Sequence, residues 1–348
     1  MKLSICIPTF NRARYLKNCL NSIISSGISS GINFEICISD NYSTDETELV
    51  VKEAGEKIAI RYHKNHVNLG IPRNFLNVVS MATGEFVWLI GDDDLLLPNS
   101  IYEIHKLFYR NPEVDFFYVN SYHLTADYLN GYPSPFDIIN LPTDMERFSK
   151  YKKDGVTRFL DLIDPNISFD FLGGMYLSVF KRELWIKNTD ALDKNAIIDT
   201  RTFSTLDNTF PHIKIFAKGF SKSHAYFNAA PLIVCLSGVR EWTSMSPLVM
   251  SVRLVEALEQ YRKFGLPLLQ YLYCRNYALK NFLPDLIKMF LYKNISGYIY
   301  IQPKKLLIKN FIYPNLYLSN FYYLLRKFRL AYKSLSIFKS IKAPNERM

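Results

Sequence analysis

The first third of the chain predicts an α/β fold, on three observations. Short β-rich apolar runs alternate with stretches of helical spacing. The runs are apolar throughout rather than every second residue, as strands buried on both faces are. Polar clusters recur at the carboxyl end of each run, where ligands sit in sheets built from βαβ units. Lys2 to Thr9 is the first strand, and Arg12 to Ile24 is a helix with Tyr15, Leu16, Cys19, Leu20 and Ile23 on one face. Phe34 to Ser39 is the second strand, and Thr44 to Ala54 a helix behind a Ser43 cap. Ile58 to His63 is the third strand, Pro72 to Ala82 a helix with proline near its start, and Phe86 to Ile90 a central strand. Pro98 opens a helix to Tyr109, and Val114 to Val119 is a fifth strand. From about 121 to 245 this rhythm is lost.

Four polar clusters fall on one sheet edge: Pro8-Thr9-Phe10-Asn11-Arg12, Asp40-Asn41, Asn65 to Gly70, and Gly91-Asp92-Asp93-Asp94. Three acids after a strand are either turn chemistry or ligands for a divalent cation. Mg²⁺ and Mn²⁺ take oxygen ligands and bridge one or two protein carboxylates to a substrate diphosphate. Arg73, just inside its helix, can meet phosphate at the same edge, or it is an ordinary solvated arginine.

Ser4-Ile5-Cys6-Ile7-Pro8-Thr9-Phe10-Asn11-Arg12, Asp40-Asn41-Tyr42-Ser43-Thr44-Asp45, Asn68-Leu69-Gly70 with Arg73-Asn74, and Gly91-Asp92-Asp93-Asp94 resemble, in order and spacing, the family-2 glycosyltransferases. The short-range pattern is most similar to the O-antigen abequosyltransferases. The resemblance implies a GT-A fold with a Rossmann-like mixed sheet, covering residues 1–245, with 1–120 as the nucleotide-sugar half and 121–245 as the acceptor half. It implies that Pro8, Thr9, Asn11 and Arg12 wall the base and ribose, that Asp40 reads the base, and that Asn68, Gly70, Arg73 and Asp92 also serve the nucleotide. Asp40 alternatively caps the helix near Ser43, and Arg12 is alternatively a first-turn surface residue. Gly91 stands where the family's motif commonly has a ribose-contacting Asp. By alignment Asp93 is then the metal ligand and Asp94 its neighbour in the site, although Asp92 and Asp94 form a D-x-D pair of their own. The cofactor implied is Mn²⁺ or Mg²⁺.

In the middle segment, Phe171 to Arg182 resembles the family stretch in which Gly173 and Gly174 face the donor sugar before a strand runs to a basic pair. The alternative is a bulge. Thr205-Leu206-Asp207-Asn208-Thr209-Phe210 matches the Glu-Asp motif at the head of a helix, with Leu206 in place of Glu. Asp207 is thereby the base for an inverting transfer, or else an N-cap. Asp193 and Asp199 compete less well. Arg240, with Glu241 and Trp242, falls in a loop that family members close over the diphosphate.

His63, His66, His105, His123, His212 and His224 lack zinc-type spacing and are assigned to the surface. Five cysteines with no C-x-x-C, in a chain without a signal peptide, indicate reduced thiols in the cytosol. No P-loop or dinucleotide fingerprint is present. The 348 residues and 49% hydrophobic content suit one large domain and an appended segment, 246–348.

Charge is unevenly placed. Of the net +10, +9 sits from Tyr300 onward, where ten basic residues accompany the single acid Glu346. These charges alternate with aromatic and aliphatic residues, the composition of a segment that lies in an anionic bilayer interface. The uncharged run Phe311 to Leu325 contains Pro314 and is shorter than the ~20 residues a spanning helix needs. The alternative is a helical bundle with a solvated basic face. Nucleic acid is not expected as a partner, since no motif for it accompanies the charge.

The expectation is a metal-dependent glycosyltransferase, peripheral at the inner face of the bacterial membrane, acting on a lipid-linked oligosaccharide in O-antigen or capsule assembly. A nucleotidyltransferase is the rival enzyme, though it should carry a Gly-rich basic loop where this chain has Pro8 to Asn11. An inactive carbohydrate-binding relative is the rival without catalysis.

Overall fold

The computed structural model describes residues 2–238 and 243–341. One mixed sheet runs in the order β3 (Ile60–Lys64), β2 (Phe34–Asp40), β1 (Leu3–Thr9), β4 (Phe86–Leu89), β9 (Ser178–Lys181), β6 (Phe116–Thr125), β10 (His224–Ser237), β5 (Leu95–Leu96), with β7 (Glu146–Arg147) on β6 and β8 (Gly155–Arg158) on β10. The first four strands in this order are parallel. β9 then enters antiparallel between β4 and β6, so β6 and β10 again point the way β1 does. The expected fifth strand is thus not the neighbour of the fourth: the 171–182 segment supplies the intervening strand.

The connecting helices are α1 (Ala13–Ser30), α2 (Thr47–Gly55), α3 (Ile71–Met81) and α4 (Ser100–Arg110). α2 begins three residues later than its sequence suggests. Ser43 is not its cap: its hydroxyl accepts the Asn11 N–H at 2.8 Å, and Asp45 accepts the Thr47 N–H instead. Short helices α5 (Pro165–Ser168), α6 (Arg182–Lys187), α7 (Lys194–Ile198) and α8 (Leu206–Thr209) precede α9 (Pro211–Phe220).

β1 is buried along its whole length, as an all-apolar central strand must be. Pro8 is tolerated there because its missing N–H would face β4, the side on which the Cys6 carbonyl accepts the Ile90 N–H, and the β1–β4 ladder has already ended at Cys6. Behind the sheet Phe116 meets Phe159, Phe171, Phe216 and Phe220 edge-on at 4.8–5.8 Å. His212 departs from the surface assignment. It packs against Phe210 and Phe216, and burial pulls its pKa down to about 4. All five cysteines are buried thiols.

At the opposite edge from the polar clusters, Glu35 ties β1, β2 and the turn before β4 together. It accepts hydrogen bonds from the Ser4 hydroxyl and from the Thr83 and Gly84 N–H groups, at 2.6–2.9 Å. Burial alone would raise its pKa, but these donors outweigh that and bring it from 4.5 to about 2. A depressed carboxylate contributes stability that is present above the unfolded value and lost as pH falls from 4.5 towards 2. Glu35→Gln should therefore melt lower at pH 7 and show a flatter stability profile across that acid window. Parallel profiles for the two proteins would refute the assignment.

The C-terminal segment packs on the same core. After a short turn of helix, α10 (Ser246–Leu248), come α11 (Leu254–Lys263), α12 (Leu268–Ala278), α13 (Phe282–Leu291), α14 (Pro303–Asn310) and α15 (Pro314–Ile341). Leu258, Leu279, Phe282, Tyr313 and Leu316 join the core that underlies the sheet. Buried Arg275 clamps α14 by donating to Asn310 Oδ1 and to Glu259, and Asn315 donates to the Asn276 carbonyl. The basic tail accordingly begins as a docked bundle, in which α15 still reaches Lys288 through Tyr323 and Asn281 through Arg326. No helix among the described residues is long and apolar enough to cross a membrane.

Candidate active site

Hydrogen bonds join the four polar clusters into one edge. Arg12, at the mouth of α1, pairs its Nε with Asp92 Oδ1 at 3.2 Å and donates from Nη2 to Asp93 Oδ2 at 3.0 Å. The Thr9 hydroxyl takes the other Asp92 oxygen at 2.7 Å. Asp92 is enclosed, and burial, with Asp93 beside it, pushes its pKa to about 7 against the pull of Arg12. Asp94 Oδ2 accepts the Gly91 N–H at 2.7 Å and closes the turn. Gly91 has a steric reason. A Cβ there would lie 2.7 Å from Asp93 Oδ1 and 3.1 Å from Asp94 Oδ2, so the missing side chain is what lets both carboxylates fold over residue 91.

The neighbouring loops are equally fixed. Asn11 adopts a left-handed conformation, φ 52°, and its side chain accepts the Thr44 N–H. Asp40 is wholly buried, with Oδ1 on the Ser43 N–H and Oδ2 on the Tyr62 hydroxyl, 2.8 and 2.7 Å away. It shapes the turn out of β2 rather than capping α2, and a base read by it would share the carboxylate with Tyr62. Asn68 accepts from Asn41 and from the Gly70 N–H, and Gly70 sits at φ 81°, a conformation that favours glycine. Arg73, in the first turn of α3, is exposed and has no ionic partner among the described residues.

Three contributions escaped the sequence reading. Asn74 donates to the Ser39 and Thr9 carbonyls at the ends of two strands, and with Asn65, Asn77 and Ser39 it forms the floor of the edge. Tyr62 occupies Asp40. Tyr42 stands exposed beside Asn41, as Phe10 of the expected Pro8 to Arg12 wall does beside Thr9. The available signal was an excess of asparagine at strand ends, where amides satisfy backbone groups that the ladder has stopped pairing.

A second group is joined to the first through packing of α8 on α3. Asp207 is buried, its Oδ2 accepting from Lys214 Nζ and from the Asp193 N–H, both at 2.8 Å. Its Oδ1 is buried without a hydrogen-bond partner among the described residues. The N-cap of α8 is Thr205, not Asp207. Asp193 caps α7, and Asp199 is pinned by Arg201 and Ser204, its pKa well below the carboxylate range for that reason. Gly173 faces Phe210, whose ring a Cβ would approach to 3.1 Å, so packing already requires a small residue there. The Gly174 carbonyl accepts the Leu177 N–H in the turn that leads to β9. Arg240, Glu241 and Trp242 lie outside the described residues.

Among the described residues no three His, Cys, Asp or Glu side chains gather as a metal site. The donor set still fits a hard cation: Asp93 Oδ1 and Asp94 offer carboxylate oxygens, and Mg²⁺ or Mn²⁺ usually takes only one or two from protein.

Residues 4–171 match the model of glycosyl transferase family 2. Abequosyltransferase RfbV of Salmonella typhimurium is 32% identical over 68% of this chain and 66% of its own length. A Campylobacter jejuni relative, GalNAc(5)-diNAcBac-PP-undecaprenol beta-1,3-glucosyltransferase, is 35% identical over 29% of this chain and 32% of its own. The chain thus spans about two thirds of the first relative and a third of the second. The crystal structure of Staphylococcus aureus TarS 1-349 with UDP-GlcNAc superposes with a TM-score of 0.52 at 15% identity, covering 86% of this chain and 89% of that one, which establishes a shared fold.

Proposed function

The chain belongs to glycosyl transferase family 2, and on that premise we propose that it moves one sugar from a nucleotide-diphosphate donor to a lipid-linked saccharide in bacterial surface-polysaccharide assembly. The observation that carries the reading is the hydrogen-bonded edge in which Arg12 and three acids meet the Asp40, Asn68 and Arg73 loops. Two relatives support it through their names: one transfers abequose, the other acts on a diphosphate-linked undecaprenol.

Each group then has a task. Phe10 and Tyr42 flank the nucleotide, Asp40 reads the base, and Arg73 binds phosphate by charge-assisted hydrogen bonds. Asp93 and Asp94 would hold Mn²⁺ or Mg²⁺, which when bound neutralises charge developing on the leaving diphosphate. Gly173 and Gly174 keep the backbone low on the sugar side. Asp207 accepts the proton of the acceptor hydroxyl as that oxygen attacks the anomeric carbon from the face opposite the leaving group, which inverts the centre. The exposed apolar and basic surface of α13 to α15 rests on anionic lipid at the inner membrane face, held by charge that salt screens.

Thermal shift with UDP, GDP, CDP and dTDP, with and without Mn²⁺, tests the reading. One nucleotide, CDP by the abequosyltransferase similarity, should raise the melting temperature by roughly 3–5 °C at a hundredfold excess over Kd. No shift with any of the four overturns the proposal. A shift without hydrolysis of the matching donor sugar would point instead to an inactive carbohydrate-binding relative.

A further inference from the structure

β10 leaves the sheet at Ser237, on the edge that carries the acid triplet, because it runs parallel to β6 and hence to β1. A few residues later, the stretch from Thr243 to Met250 faces α13 across a cleft of about 530 Å³. Ser244, Ser246, Asn281, Asp285 and Lys288 give this cleft a polar lining. Met250, Tyr292 and Ile295 line it too, and their exposure places them at its rim. Lys288 lies 5.6 Å from the Tyr323 ring, and Arg326 donates to Asn281 Oδ1, so two cations flank one wall. The carboxylate in the lining, Asp285, accepts the Ser251 hydroxyl at 2.6 Å, and burial raises its pKa against the pull of Ser251, Lys288 and Arg326. From Leu286 to Asn345 the chain has eleven basic residues and no acid.

A polar pocket with cations at its wall and apolar side chains at its rim suits an amphiphile with an anionic head. We propose that this cleft holds the phosphate-bearing head of a polyprenol-type lipid, with the hydrocarbon chain lying along Tyr292 and Ile295. The inference rests on the glycosyltransferase reading for its purpose, since such a lipid would bring the acceptor saccharide to the edge where β10 ends. It differs from simple bilayer attraction in demanding a stoichiometric site, where phosphate meets Lys288, Asn281 and hydroxyl donors at once.

Flotation of the full-length protein with phosphatidylcholine vesicles doped with a long-chain polyprenyl monophosphate tests it. The comparison vesicles carry phosphatidylglycerol at matched surface charge, or the unphosphorylated polyprenol. Binding to the polyprenyl phosphate should be about tenfold tighter than to either comparison, and inorganic phosphate in solution should displace little of it. Lys288→Gln and Asn281→Ala should each remove that preference while leaving the salt-sensitive binding to phosphatidylglycerol nearly unchanged. Equal binding to polyprenyl phosphate and phosphatidylglycerol, or a preference that survives both substitutions, overturns the site. Displacement by inorganic phosphate alone would also overturn it, by showing an anion site indifferent to lipid. Nucleotide-dependent stabilisation, measured on the same samples, separates the two readings: if it is intact the cleft alone has failed, and if the wild type lacks it the glycosyltransferase reading has failed.

Discussion

An Asp93→Ala variant is expected to lose the Mn²⁺-dependent part of its stabilisation by nucleotide and to transfer sugar about 10² to 10³ times more slowly, while melting near the wild type without nucleotide. The three acids are unequal. Both oxygens of Asp92 are committed, to Thr9 and to Arg12, and Asp94 holds the Gly91 N–H. Asp93 gives Oδ2 to Arg12 and keeps Oδ1 above the bare Cα of Gly91. Removing Asp93 therefore leaves the turn closed, and the remaining Arg12 contact with Asp92 is enough to keep Arg12 in place. Asp92→Ala is the informative contrast: it empties a buried position between Thr9 and Arg12, and should lower the melting temperature whether or not Mn²⁺ is present. Full activity of Asp93→Ala, or of the wild type in EDTA, would remove the cation from the reading.

Much of the donor half was legible because its determinants are local. Apolar runs such as Ser4 to Ile7 and Glu35 to Ser39 admit one interpretation once Gly, Asn and Asp punctuate their ends, and the polar residues of parallel strands must then share an edge. What eluded the sequence is long-range. β9 lies over 80 residues from β4 yet separates it from β6, and nothing in the four residues Ser178–Lys181 announces that partner. The bonds of Asn74 span three strand ends, and an amide on a helix face carries no sign of which carbonyls it will meet. The tail misled in part because composition reports charge but not packing: Lys309, one of its ten basic residues, is tied to Glu259 of α11. A deletion starting at Pro303 would uncover core around Leu279 and Phe282, and one after Ser319 would still strip Tyr323 and Arg326 from α13 and Asn281, so a cut after Lys327 is the one that removes basic residues while sparing these contacts.

Asp207→Asn is expected to lower turnover by a factor on the order of 10² to 10⁴ while leaving donor binding intact. The amide keeps the shape and can still accept the Asp193 N–H, but it cannot take a proton from an acceptor hydroxyl. The unpaired Oδ1 is the atom assigned to that step, since Oδ2 is already shared by Lys214 and the Asp193 N–H. The competing explanation is that Asp207 merely anchors Lys214, and a second variant separates the two. Lys214→Met breaks the same ion pair but leaves the carboxylate. Asp207→Asn should lose less than the ~3–5 kcal/mol of a fully buried pair, because Lys214 retains 23% exposure and can turn to water, whereas Lys214→Met strands a buried carboxylate and should lose more. Only Asp207→Asn removes the proton acceptor, so its turnover should fall much further than that of Lys214→Met. Equal losses in the two variants would make Asp207 an anchor. The neighbouring carboxylate would be a poor substitute, because Asp199, held low by Arg201 and Ser204, binds a proton too weakly to draw one from a hydroxyl near neutral pH.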